Sequence, residues 1–220
     1  MGSKTITALV FQKTARDRVN VFLDEVYAFG LAAILAAPLR VGQVLSEQEI
    51  DALRAADLEE HAWNLALKFL SFRPRSEVEI RRYLAGKGLD AAATDQIIER
   101  LVRLGYVDDQ AFARAWVASR SLLRPKGPRA LQYELRSKGV APDVIEEALE
   151  DLAADEAAYA AVSKPAARWR ALESSAFKQK VQAFLARRGF DYDIIQKTVE
   201  RLLAEVDPAG AVEHHSENRH

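Results

Sequence analysis

The sequence predicts a mainly α fold, a tandem array of three three-helix repeats preceded by a small antiparallel β-sheet region. Three observations predict it. A leucine stands four residues before a glycine that directly follows a cation in three places: Leu84-Lys87-Gly88, Leu135-Lys138-Gly139 and Leu185-Arg188-Gly189. The glycines lie 51 and 50 residues apart, a period that marks a repeat array. Ahead of the repeats, the segments 6–11 and 18–23 alternate with period two, whereas the repeats keep helical spacing.

Each repeat carries the same apolar frame around its glycine. Ile80, Leu131 and Val181 lie eight residues before it; Leu89, Val140 and Phe190 follow it directly. Ile98, Leu149 and Val199 lie ten after it, and Leu101, Leu152 and Leu202 thirteen after it. These offsets keep one helical face apolar on each side of a break. The glycine is then a helix C-cap, where the backbone needs positive φ, and the cation before it meets the negative end of the helix dipole. At offset +6, Ile145 and Ile195 find Thr94 as their counterpart in the first copy.

A longer amphipathic helix precedes each matched pair, at about 58–72, 109–123 and 156–171. Trp63, Leu67 and Leu70, then Phe112, Trp116 and Val117, then Tyr159, Val162 and Trp169 mark their apolar faces. Tyr106, Phe112 and Trp116 are expected in the core rather than on a base-stacking platform. Asp57, Asp108 and Asp155 stand where N-caps belong. Pro74 and Pro125 stop the first helix in repeats one and two, and Ser76 with Glu79 reads as a capping box.

The N-terminal region differs. Strands are expected at 6–11, 18–23 and 26–31, with turns at 14–17 and at Asp24-Glu25. A short helix near 32–37 and a second helix opening at the Ser46/Glu49 capping box follow. The domain reading is 1–56 β-rich, 57–107, 108–153 and 154–206 as repeats one to three, and 207–220 as a disordered polar tail.

Composition narrows the function classes. The chain of 220 residues has no cysteine, which removes disulfides, thiolate metal sites and a cysteine nucleophile. No segment is apolar enough for a membrane span, and no signal peptide is evident; a cytoplasmic protein is expected. The net charge of −1 is unevenly spread. Residues 68–138 hold 15 Lys/Arg against 8 Asp/Glu, whereas 1–67 hold 6 against 9 and 139–220 hold 10 against 15. A basic centre between acidic flanks suits a polyanion or an acidic protein surface.

Chemical sites are not evident. His61 is the one histidine in a predicted folded segment; His214, His215 and His220 lie in the tail and make no metal site. Asp108-Asp109 is explained by capping. Gly86-Lys87-Gly88 lacks the strand, glycine spacing and hydroxyl residue of a phosphate loop. No nucleophile, base and orienter assemble, so a non-enzyme without metal or other cofactor is expected.

Three strings carry a family resemblance. RPRSEVEIRRYLAGKG (73–88), IIERLVRLGYVDDQAFARAWV (97–117) and KGPRALQYELRSKGV (126–140) resemble RecX, the bacterial regulator of the RecA recombinase. The most specific stretch is LGYVDDQAFA (104–113), and the resemblance covers about 57–205. The third repeat lacks the K-G-P signature, and its middle segment, 164–175, matches loosely. The resemblance implies three tandem three-helix repeats. It also implies a protein that binds the RecA–single-stranded DNA filament in its groove and mainly inhibits ATP hydrolysis and strand exchange, in recombination and DNA repair. A monomer is expected. The alternative is a helical-repeat protein that binds single- or double-stranded DNA without RecA, motivated by the basic centre.

The residues expected to meet the filament or DNA come from that centre. They are Arg73, Arg75, Arg81 and Arg82 in repeat one, and Arg114, Arg120, Arg124, Lys126, Arg129, Arg136 and Lys138 in repeat two. Gly127 and Pro128 are expected to shape the turn rather than touch a partner.

Overall fold

The computed structural model describes residues 2–13, 15 and 17–206. The tail 207–220, with its three histidines, lies outside them, as do Thr14 and Arg16 of the first predicted turn. The chain divides into two compact units: residues 1–75 with 80–107, and residues 76–79 with the chain from 108 onward.

The first unit opens with a four-stranded antiparallel sheet. Its strands are β1 (Ser3–Phe11), β2 (Arg18–Leu23), β3 (Val26–Ala32) and β4 (Val44–Ser46), in the order β3-β2-β1-β4. Alternation in β2 buries Val19, Val21 and Leu23 on one face, against Ile6, Phe29, Leu31 and Leu45. Asp24 and Glu25 both take positive φ, 49° and 68°, the tight two-residue connection that matches strand twist. The sequence does not announce β4, because three residues are too few for a period-two signal. The short helix α1 (Ala33–Ala36) lies between β3 and β4.

Helix α2 (Glu47–Leu70) runs without interruption for 24 residues. The reading of two helices, with an N-cap at Asp57, is therefore corrected. The Ser46/Glu49 capping box opens α2 as expected, but Asp57 sits in mid-helix. Its carboxylate accepts from the Arg18 guanidinium at 2.7 Å and from the main-chain N–H of Ala32 at 2.7 Å, tying helix to sheet. A side chain placed for a tertiary bond looks, in sequence, like a cap.

Further along α2, Ala62, Trp63 and Ala66 pack against Ile80 and Leu84 of α3 (Glu77–Ala85) and Ile97, Ile98 and Leu101 of α4 (Ala91–Arg103). Thr94 is buried in the +6 core position. Tyr106 departs from expectation: it is 56% exposed. It follows the positive-φ Gly105, and the turn leaves its ring edge-on to Trp63 at 6.2 Å.

The second unit holds α5 (Asp109–Leu123), α6 (Pro128–Ser137), α7 (Pro142–Glu150), α8 (Ala154–Trp169), α9 (Ser174–Arg187) and α10 (Tyr192–Val206). Asp108 caps α5 through the Ala111 N–H, whereas Asp155 lies inside the first turn of α8. Pro128 and Pro142 occupy first-turn positions, where a missing N–H costs nothing. Phe112, Val117, Leu131, Leu135 and Ile145 form one core. Ala158, Val162, Phe177, Val181, Leu185, Ile195, Val199 and Leu202 form another.

The three K/R-G caps are built alike. Gly88, Gly139 and Gly189 have φ of 89°, 80° and 80°. In each, the N–H after the glycine donates to the carbonyl of the motif leucine: Leu89 to Leu84 at 3.2 Å, Val140 to Leu135 at 3.2 Å, Phe190 to Leu185 at 3.3 Å. This is the bond that closes a helix through a left-handed residue.

Candidate partner-binding surface

Local sequence decides how the basic residues are held. At the C-terminal end of α5, Leu122, Leu123 and the C-cap Arg124 are exposed, and α5 ends where Pro125 forbids another turn. The loop is then folded back by one carboxylate. Glu134 accepts from Trp116 Nε1 at 2.7 Å and Arg120 Nε at 2.9 Å, and it also pairs with Lys126 Nζ. Burial pushes the Glu134 carboxyl up, but hydrogen bonds from Lys126, Arg120 and Trp116 together outweigh it and hold the pKa below the ordinary value.

Lys138 belongs to the same cluster. Its ammonium lies 2.9 Å from Glu79 Oε1 and 4.2 Å from the centre of the Trp116 ring, while the Arg120 guanidinium lies 4.3 Å from that ring. Trp116 is thus engaged by two cations and gives its N–H to a third charged group, an arrangement that fixes its rotamer. Arg120, Lys126 and Lys138 are brought together by this cluster, with Glu134 and Glu79 as their counter-charges.

The other cations of the second unit face solvent. Arg114 pairs with Glu147 at 3.2 Å in an exposed bridge, Arg129 reaches Asp191 at 3.5 Å with its side chain 75% exposed, and Arg124 and Arg136 are exposed. Exposed bridges of this kind contribute about 0–1 kcal/mol and exchange readily for a better partner. In the first unit, Arg73 is half-buried and donates to the Pro74 carbonyl at 2.8 Å. The Arg75 guanidinium stacks on Phe69 at 3.9 Å, Arg81 pairs with Asp95, and Arg82 is exposed.

Glu134 is the site residue that sequence reasoning passed over, and a signal for it existed. It stands three residues after Leu131 and one before Leu135, on the edge of the apolar face of α6. An acid there is either unsatisfied or matched by cations from elsewhere in the fold.

Ser76–Glu79 shows a second recurring geometry. Ser76 is fully buried and donates its hydroxyl to the Lys138 carbonyl at 2.6 Å, while a Cβ at Gly139 would meet Val78 at 2.5 Å. One repeat further on, Gly127 N–H donates to the Arg188 carbonyl at 2.9 Å, Arg129 N–H donates to the Gly189 carbonyl at 3.2 Å, and a Cβ at Gly189 would meet Ala130 at 2.5 Å. The K/R-G turn is therefore a seat for the first turn of the preceding repeat's second helix, beyond its role as a cap.

Among the described residues, no group of three or more His, Asp or Glu side chains could hold a metal, and no helix is long and apolar enough to cross a membrane.

The sequence and the fold both have known relatives. Family profiles described as the RecX N-terminal domain and the first, second and third RecX three-helix domains match residues 4–46, 62–101, 108–149 and 153–199. Regulatory protein RecX of Bacillus pumilus is 34% identical over 200 residues, covering 89% of this chain and 76% of that protein. The Bacillus subtilis protein of the same name is 33% identical over 207 residues, covering 92% and 78%. A crystal structure of regulatory protein RecX superposes with a TM-score of 0.71 at 28% identity, covering 90% of this chain and 99% of that one. A RecX structure from Lactobacillus salivarius gives 0.62 at 27% identity, covering 67% and 97%.

Proposed function

We propose that this chain, which belongs to the RecX family of regulatory proteins, binds the RecA–single-stranded DNA filament and restrains its ATP hydrolysis and strand exchange. The observation that carries the reading is the likeness to regulatory RecX proteins, which spans the β-rich region and all three repeats and covers 89% of this chain and 76% of the Bacillus pumilus protein. The tandem repeat supports it, since repeated small helical units can spread contacts over several neighbours of a filament of identical subunits. The segments 57–107, 108–153 and 154–206 act as the repeats, and the β-rich region ahead of them is joined to the first by the unbroken helix α2.

The contact residues in this reading are Arg82, Arg114, Arg124, Arg129 and Arg136, which are exposed. Arg120, Lys126 and Lys138 of the same reading are held by Glu134 and Glu79. Arg73, Arg75 and Arg81 of the first repeat complete the proposed contact set. The protein works as a monomeric, non-enzymatic regulator in the cytoplasm, where filament and DNA are found. Its test is RecA ATPase on single-stranded DNA and strand exchange, using RecA of the same organism. Inhibition is expected; no effect at micromolar excess would sink the reading.

The charge pattern favours a second reading, direct DNA binding without RecA. It predicts an affinity that falls steeply with salt in proportion to the phosphates neutralised. Reversing Arg124, Arg129 and Arg136 should then abolish binding to bare DNA, and unchanged affinity would remove its basis.

A further inference from the structure

The three K/R-G seats are equal in construction and unequal in occupancy. At Lys138-Gly139-Val140 and at Arg188-Gly189-Phe190, the cation and glycine are half-buried and the apolar residue is buried. At Lys87-Gly88-Leu89 the cation and glycine are exposed and the apolar residue is half-buried. A Cβ at Gly139 or Gly189 would meet a neighbour at 2.5 Å; a Cβ at Gly88 would meet nothing within 4 Å. Open space alone does not define a seat, since Gly105 also has it. What defines one here is that two counterparts of Gly88, at the same repeat position and with the same backbone, are filled by the same kind of element.

The filled seats also say what fits. Each takes the first turn of an α-helix, led by a residue whose hydroxyl or N–H donates to the carbonyl of the cation: Ser76 to Lys138, Gly127 to Arg188. A small or β-branched residue, Val78 or Ala130, then covers the glycine. In the first case the acid three residues after the leading serine, Glu79, pairs with the seat's lysine at 2.9 Å. Lys87 is the counterpart of that lysine, and it is exposed.

Among the described residues, the second-helix first turns of the repeats are already committed. Ser76–Glu79 and 127–130 occupy the two filled seats. The matching point in the third repeat is Phe177, which is buried in the core because α9 starts earlier and is capped by Glu173 through the Ser175 N–H. That helix start has no turn of the required form.

We propose that the Lys87-Gly88-Leu89 seat is a docking site for the first turn of an α-helix on the recombinase subunit. That turn would be of the form small-polar, any, small or β-branched, acid, bound as Ser76–Glu79 is bound at Lys138. The proposal rests on the filament-binding reading above and names the part of the partner that the seat takes.

The experiment uses Gly88→Asn in the full chain. Asparagine tolerates positive φ better than other side chains, and at this position it projects into open space within the protein but into any docked turn. The expected result is a circular-dichroism spectrum like the parent's, with at least a tenfold higher concentration needed for half-inhibition of RecA ATPase. If the variant is folded and fully potent, the seat is not used. Lys87→Glu gives a second reading should the asparagine weaken the fold, with a several-fold loss expected and unchanged potency counting against the site.

Because the chain has no cysteine, Lys87→Cys also places a single benzophenone cross-linker on the seat. Cross-links mapping to the first turn of a RecA helix are expected. Cross-links to DNA, or to a second copy of this chain, would overturn the proposal. If the parent protein itself leaves RecA unaffected, the filament-binding reading fails first and the proposal with it.

Discussion

The Ser76 hydroxyl donates to the Lys138 main-chain carbonyl at 2.6 Å across 62 residues of sequence, from a side chain that is fully buried. The same oxygen accepts from the Glu79 N–H at 3.3 Å, so one hydroxyl closes both a helix start and a helix end. Ser76→Ala removes both bonds while keeping the volume. A loss of about 1–2 kcal/mol is expected in urea unfolding followed by circular dichroism. A change below the error of the method would show that the two ends are satisfied without the serine.

Gly127 has an ordinary φ of −76°, so its requirement is space rather than conformation. An added Cβ would lie 2.2 Å from the Gly189 carbonyl oxygen, a main-chain atom that cannot rotate away. Gly127→Ala should therefore cost at least about 1–3 kcal/mol by overpacking, seen as a lowered thermal midpoint. An unshifted midpoint would mean that the junction of repeats two and three yields freely.

Two carboxylates should give opposite pH trends. The Glu134 carboxyl is held below its usual 4.5, so its stabilising contribution is present above that pH and is lost as the pH falls through the lowered folded value. Glu134→Gln should cost about 1–3 kcal/mol at neutral pH, because three donors lose a charged acceptor, and should flatten the acid side of the stability curve. Burial raises the Asp109 carboxyl above 3.8, helped by Glu77, Asp108 and Glu79 nearby, although the Glu77 N–H bond opposes it. Its contribution is present below 3.8 and is lost as the pH rises through the raised folded value. Asp109→Asn keeps an acceptor for that N–H and should be at least as stable as the parent at pH 7. Urea midpoints measured from pH 3 to pH 7 test both signs.

Arg124 and Lys126 are two residues apart and should behave differently. Arg124 is exposed, whereas Lys126 is bound to Glu134. Arg124→Ala should leave the thermal midpoint unchanged and weaken inhibition of RecA ATPase. Lys126→Ala should lower the midpoint as well. Equal effects of the two on both measurements would remove the distinction between contact and support.

Much of the architecture was legible because it is written in local periodicity. The leucine and glycine positions name the helix ends, and Asp108 and the Ser46/Glu49 box name helix starts that the structure retains. Legibility failed where a residue serves something distant in sequence. Asp57 reads as a cap but bonds Arg18 and the Ala32 N–H. Tyr106 reads as core but is carried outward by the turn at Gly105. For the candidate surface, the sequence located the basic region but could not sort exposed cations from those held by Glu134 and Glu79. Those partners lie 8 to 59 residues away from their lysines.

By itself the sequence determined the repeat, its length, its helix ends and the sign of its central charge, since each depends on neighbours within a turn or two. Only the tertiary structure decided that the K/R-G turn is a seat as well as a cap, and that two seats are filled while Lys87-Gly88-Leu89 is open. The physical reason is that a cap is made by the five residues around a glycine, whereas occupancy depends on which other helix comes within van der Waals reach of it.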